Sequence, residues 1–455
     1  MEYLSQIAFV AVLGFFSYLL YKRITQIKQS ILLGRDIDRT DNSSERWKTM
    51  LLVAFGQQKM FKRVIPAVLH LFIYVGFVVI NLEVLEFILD GFLGTHRLFA
   101  PYLGGFYNVL MNIFEGLAVL VLISCVAFLI RRNVMKVPRF TKPEMKGWPA
   151  LDGNLILVIE VILMGAIITM NAADQSLQNL GAAHYPETGT IFFSGLFEPM
   201  LTKMSLSEGT LILIERGAWW FHIIGILAFA VYVTHSKHLH IFLAFPNTYY
   251  SNLKAKGHMD NMEVVTNEVK MMLGMPVEGV DPNAPPAEVG RFGAKDVNDL
   301  TWKNIMESYS CTECGRCTSE CPANLTGKKL SPRKIMMDTR DRAEEVGKSI
   351  AEGGKGLEDG KTLFGDFITK EEVNACTSCN ACAEACPINI NPLDIILQLR
   401  RYTAMEEASS PASWNSMFSN VETSFAPWKF SPADRFNWAD ELKSEQDKLQ
   451  ETEES

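Results

Sequence analysis

The chain has 455 residues, 48% of them hydrophobic, and a formal net charge of -8; it is longer than a usual single domain and carries no basic footprint for nucleic acid. The charge divides unevenly, with 20 Lys and Arg against 17 Asp and Glu in residues 1–253, and 23 against 34 in residues 254–455. A slightly basic, apolar half therefore precedes an acidic, polar one.

In chain order, five apolar runs come first, at 3–20, 65–89, 109–130, 155–170 and 211–233. Each is close to the roughly 20 residues that cross a bilayer. Five such runs separated by charged loops predict five membrane helices rather than one buried globular core. The first has no basic stretch before it, and Lys22 and Arg23 follow it, so it reads as a helix and not as a cleaved signal. Lys22, Arg23, Lys28, Arg35, Arg39, Lys59, Lys62 and Arg63 follow the first run, and Arg131, Arg132, Lys136, Arg139, Lys142 and Lys146 follow the third. The positive-inside rule then puts the N-terminus outside and everything after the fifth run in the cytoplasm of a bacterial inner membrane.

The runs also carry polar groups that are costly in hydrocarbon. Four of the eight histidines fall in WWFHIIGILAFAVYVTHSKHLHIF, as His222, His235, His238 and His240, and His70 stands on the second run. Haem iron, clamped by two imidazoles from different helices, is the partner that fits them. Glu83, Glu86, Glu115, Glu160 and Glu215 are candidates for a proton path beside a membrane quinone; Glu215 could equally pair with Arg216.

The polar half contains CTECGRCTSECP at 311–322 and CTSCNACAEACP at 376–387. Each fits C-x2-C-x2-C-x3-C-P, the spacing of two-cluster ferredoxins, in which the fourth cysteine serves the other cluster. Cys311, Cys314, Cys317 and Cys386 are expected on one 4Fe-4S cluster, and Cys376, Cys379, Cys382 and Cys321 on the other. Paired C-x2-C motifs also build zinc sites, which is the structural alternative. A reducing compartment argues against disulfides. PRKIMMDTRDRAEEVGKSIAE and PLDIILQLRRYTAME have helical spacing, so the cluster module is expected to be helical.

That module resembles the helical ferredoxin parts of the heterodisulfide reductase, anaerobic glycerol-3-phosphate dehydrogenase and succinate dehydrogenase families. HLFIYVGF and the run from His222 to SKHLHIF resemble the gamma subunit of respiratory nitrate reductase, a five-helix b-type cytochrome with its N-terminus outside. That resemblance implies haem ligands eighteen residues apart on helix five, matched by His222 and His240, and ligands ten apart on helix two, where Ile80 stands in place of the second histidine. The implied haem is held by His70 and His240, with helix five running on past Lys237, whose side chain snorkels or meets a haem propionate. His222 would lie about 27 Å along that helix from His240. It would face a second haem if something replaces Ile80, or else be a core histidine or the direct partner of His70. His235 and His238 are expected at an interface.

The expected fold is all-α: a five-helix transmembrane cytochrome b bundle (1–253), a linker (254–300), a cytoplasmic two-cluster helical ferredoxin (301–405) and an aromatic-rich docking tail (406–455). Within the linker, 276–299 reads as extended. The tail holds Trp414, Phe418, Phe425, Trp428, Phe430, Phe436 and Trp438 with little helical periodicity, either as a strap or as a partner anchor, and the final ETEES is expected to be solvated. The sequence has no nucleotide fingerprint and no adjacent cysteine pair, so substrate handling is expected on a partner with Cys-Cys-Gly repeats, with electron-transferring flavoprotein as a possible donor. Electrons would run between that partner, two clusters, haem b and quinone. A quinol-driven disulfide reductase subunit and a redox sensor of the quinone pool are the alternatives.

Overall fold

The computed structural model describes residues 3–255, 257–277 and 291–453. Among these there is no β-strand, only isolated bridges such as Arg35 with Thr301. Five helices are long and apolar enough to cross a membrane: α1 (Leu4–Ile31), α2 (Val64–Leu93), α3 (Gly105–Asn133), α4 (Trp148–Leu180) and α5 (Glu208–Val233). The first lies between α2 and α5, while α3 joins α2 to α4 and α4 packs along α5. With 28 residues, α1 is about 42 Å long and outlasts a hydrocarbon core of about 30 Å. Its surplus end carries the buried Arg23, Ile27 and Ser30.

Helix five does not run on past Lys237. It stops at Val233, a three-residue turn follows at Lys237–Leu239, and a new helix, α6 (His240–Tyr249), begins at His240. Ser236 makes the break: its backbone is extended (φ -118°, ψ 157°) and its hydroxyl accepts from His238 N at 3.1 Å, a local bond that competes with the helical ladder. The 27 Å axial spacing of His222 and His240 therefore does not apply.

Residues 1–261 and 294–397 form one compact unit, so the apolar helices and the cysteine loops belong together. Here Thr301 and Asn304 cap α7 (Trp302–Ser310) reciprocally, and the region between the cysteine stretches folds as α8 (Pro332–Ala351). The unit ends within the helix Pro392–Met405. The overhanging end of α1 packs on α8, where Arg23 pairs with Glu344 at 2.7 Å. The helices meet closely at Gly347, where an added Cβ would lie 1.9 Å from the Ser30 hydroxyl.

Residues 262–293 and 398–455 form a second unit. Contrary to the expectation for the tail, it is helical at Ala412–Ser424 and Asn437–Glu453. These helices escape a periodicity reading because they bury no continuous apolar stripe; Phe425, Trp428, Phe430, Phe436 and Trp438 are all exposed. Part of the expected extended linker, 278–290, lies outside the described residues. Of the final ETEES, the helix takes in residues up to Glu453, and 454–455 are likewise outside.

Candidate functional site

The two cysteine loops share one backbone design. In the first, Glu313 and Gly315 have positive φ (53° and 70°); in the second, Ser378 and Asn380 occupy the same places (56° and 60°). Alternating left-handed residues curl the chain so that successive thiols turn toward a common centre and amides point inward. Ser378 N donates to Cys376 Sγ at 3.4 Å, and Ile390 N to Cys386 Sγ at 3.3 Å. Cys321 and Cys386 are extended, as a residue before proline prefers, which ends each loop and sends the fourth thiol away from its own trio.

The fourth cysteines exchange. Cys311, Cys314, Cys317 and Cys386 line one cavity with Arg316 and Arg333. Cys321 lies near Cys382 together with Cys376 and Cys379. All these thiols are free of disulfides. Burial pushes Cys311 and Cys382 up to about 12 and Cys386 to about 11, so a metal has to displace their protons to bind. Among the described residues no three His, Cys, Asp or Glu groups converge on a single ion; the first four thiols instead surround a cavity.

Loops of the membrane half supply part of that cavity's surroundings. Lys59 Nζ donates to Ala383 O (3.2 Å) and Asn389 Oδ1 (3.0 Å), beside Cys382 and Cys386. Arg333 donates to Arg139 O at 2.6 Å and pairs with Glu144 at 2.7 Å. A Cβ on Gly315 would meet Arg333 at 2.5 Å and Arg139 at 3.3 Å. The buried Nε atoms of Arg139 and Arg333 lack a hydrogen-bond partner. Orphaned donors beside a thiol-lined cavity fit a group that brings its own acceptors, as cluster sulfurs do. Glu313 is paired with Lys237 at 2.5 Å and Arg340 at 2.9 Å; burial alone would raise its carboxyl, but these cations hold it below its ordinary range.

The histidines sort clearly. His70 and His240 face each other with ring centroids 6.3 Å apart and planes at 38°. A metal–imidazole bond is about 2 Å and a ring centre lies roughly 1 Å behind its nitrogen, so two imidazoles on one iron stand about 6 Å apart. His70 Nδ1 lies 3.1 Å from Gln57 Oε1 and His240 Nδ1 lies 3.2 Å from Lys237 O. Each oxygen accepts the Nδ1 proton and leaves Nε2 free to ligate. Burial pushes His240 down to about 4, so it is neutral, as a ligand must be. The residues thus fit a haem at this position. His222 is likewise held, by Leu163 O at 3.0 Å, but its ring meets Phe87 edge-on at 5.9 Å; it partners neither Ile80 nor His70. His238 packs 5.2 Å from His240. His235 is exposed.

Several membrane carboxylates serve structure. Glu86 accepts from Tyr107 at 2.7 Å and Phe99 N at 2.8 Å, Glu115 from Phe193 N at 2.9 Å, and Glu215 pairs with Arg216 at 2.5 Å. Glu83 differs, standing 3.6 Å from Arg97 with no hydrogen bond to either oxygen. Lys237, expected near a haem propionate, instead binds Glu313 and Pro149 O. Gln57, Glu313, Arg139 and Arg333 carry no motif, so spacing could not single them out.

Residues 310–390 match the family model of the 4Fe-4S dicluster domain. The chain is 26% identical to the probable iron-sulfur-binding oxidoreductase FadF of Bacillus subtilis, over 94% of this chain and 59% of that protein. It is 26% identical to the EtfAB:quinone oxidoreductase of Syntrophomonas wolfei over 90% of this chain and 56% of that one. A subunit of the dihydromethanophenazine:CoB–CoM heterodisulfide reductase of Methanosarcina mazei is 29% identical over 31% of this chain and 35% of its own. The chain thus spans less than two thirds of the length of these relatives. No solved structure matches it. It carries a 4Fe-4S dicluster domain and is homologous to iron–sulfur oxidoreductases of electron transfer.

Proposed function

We propose that the chain is a membrane-anchored electron-transfer subunit of a quinone oxidoreductase, with haem b in residues 1–253 and two cubane clusters in residues 301–405. Cys311, Cys314, Cys317 and Cys386 hold one cluster, Cys376, Cys379, Cys382 and Cys321 the other, and His70 with His240 clamps the haem. The bound groups supply one-electron carriers. The chain's own residues hold them at fixed separation, exclude water and keep His240 neutral. The facing of His70 and His240, each with Nδ1 tied to an oxygen, carries this reading.

Orientation has a supporting observation. The cysteine module packs on Lys59, Arg63 and Arg139, members of the basic loops that the positive-inside rule puts in the cytoplasm. The name of the Syntrophomonas relative, EtfAB:quinone oxidoreductase, favours a flavoprotein donor and a quinone acceptor, through a partner or segment with Cys-Cys-Gly repeats. His222 remains a candidate ligand only where Phe87 moves aside.

The deciding experiment is haem b and iron per purified chain. One haem with iron for two cubanes is expected, and His70→Ala should remove the haem. Full haem retention in that variant overturns the ligand assignment, and iron without haem in the parent removes the path to quinone.

A further inference from the structure

We infer that the two cysteine groups form a potential ladder, in which the cation-ringed group facing the membrane loops takes electrons from the solvent-facing group, and that Lys59 and Arg139 of those loops set this order. The inference rests on reading the cysteines as ligands of two cubane clusters.

The surroundings of the two groups differ in charge and exposure. Around the first, Arg316 and Arg333 line the cavity itself. The Arg139 Cβ abuts Gly315 between Cys314 and Cys317, and its guanidinium, with an orphaned Nε, interacts electrostatically with Cys314. Lys59 is fixed by two hydrogen bonds at Ala383 and Asn389, on either side of Cys386. The two carboxylates of the first loop are both paired, Glu313 with Lys237 and Arg340 and Glu320 with Arg63. The two C-x2-C gaps of the second loop hold only the uncharged Thr377, Ser378, Asn380 and Ala381, and Cys379 is the exposed cysteine of the eight. Nearby acids there, Glu371 and Glu384, are paired with Lys329 and Lys62 on exposed surface, where water screens them.

Reduction adds one negative charge to a cluster. Fixed cations in a water-poor setting stabilise that added charge strongly and raise the potential; solvent and paired surface ions do so weakly. An electron given up by a one-electron donor at the Cys379 edge therefore reduces the second group. It then passes inward as the second group is re-oxidised and the first reduced, and goes on to the imidazole-held iron. No proton moves in these steps. Because Lys59 and Arg139 belong to the membrane half, the ladder exists only while the cysteine module is docked on it.

The test is a redox titration of the full-length chain in detergent, following the paramagnetic signals of the reduced clusters. Cys379→Ser, by altering or removing one signal, identifies the second group. Lys59→Gln and Arg139→Gln should each lower the midpoint of the other signal and leave the Cys379-dependent one in place. Arg139→Lys, which keeps the charge, should restore the parent midpoint, and Lys59→Gln stands alone if Arg139→Gln fails to fold. Unshifted midpoints in both Gln variants overturn the inference, as does a parent protein whose Cys379-dependent signal is reduced first. A parent without any cubane signal overturns the ligand reading itself, which is a distinct failure.

Discussion

At the scale of single residues, matched positions explain why different side chains perform one task. Gly315 and Asn380 both sit just after the second cysteine of their loops with positive φ. Glycine adopts that conformation freely and asparagine tolerates it, whereas other residues pay about 1–2 kcal/mol. Gly315 is the more constrained, because any Cβ meets the Arg333 guanidinium. Gly315→Val is accordingly expected to lower stability by at least about 1–2 kcal/mol and to lose iron, whereas Asn380→Gly should be close to neutral; thermal melting with iron content checks both. The thiols themselves were legible from spacing alone. Gln57, which holds His70, was not, because it lies 13 residues away and only the fold brings its oxygen to the ring.

At the scale of elements, apolar runs gave the five long helices correctly but not their ends. A run stops being apolar where the bilayer stops, while the helix continues as long as its backbone bonds are favourable, so α1 overhangs to reach α8. Helix five shows the opposite, since Ser236 ends a pattern that reads as continuous. The α1–α8 crossing depends on the missing side chain at Gly347. Gly347→Leu should force the helices apart and cost about 1–3 kcal/mol as an overpacked contact, whereas Gly353→Ala, close by with open space around it, should leave the crossing intact and cost only the about 1–2 kcal/mol of its positive φ. A comparison of protease resistance at the cysteine module in the two variants tests this.

At the scale of the whole compact unit, Lys237 is the link between the histidine pair and the first cysteine loop. Its carbonyl accepts from His240 and its ammonium pairs with Glu313. Removing one member of a buried pair costs about 3–5 kcal/mol. Arg340 still compensates Glu313, so Lys237→Met is expected near the lower end of that range. It should show as a lower melting temperature together with a perturbed His70–His240 site, visible in the spectrum of the proposed haem. A variant that melts earlier with an unchanged spectrum would confine Lys237 to a structural role.

The sequence by itself determined the five membrane spans, the two four-cysteine stretches and the acidic character of the half that carries them, because hydropathy, ligand spacing and charge are local properties of the chain. Tertiary structure alone decided where helix five breaks, which oxygens hold the Nδ1 atoms of His70 and His240, and which loop cations stand beside the first group. Those outcomes depend on contacts between residues up to hundreds of positions apart, such as Lys59 with Asn389, and no local pattern records where a helix will break or which loops its end will meet.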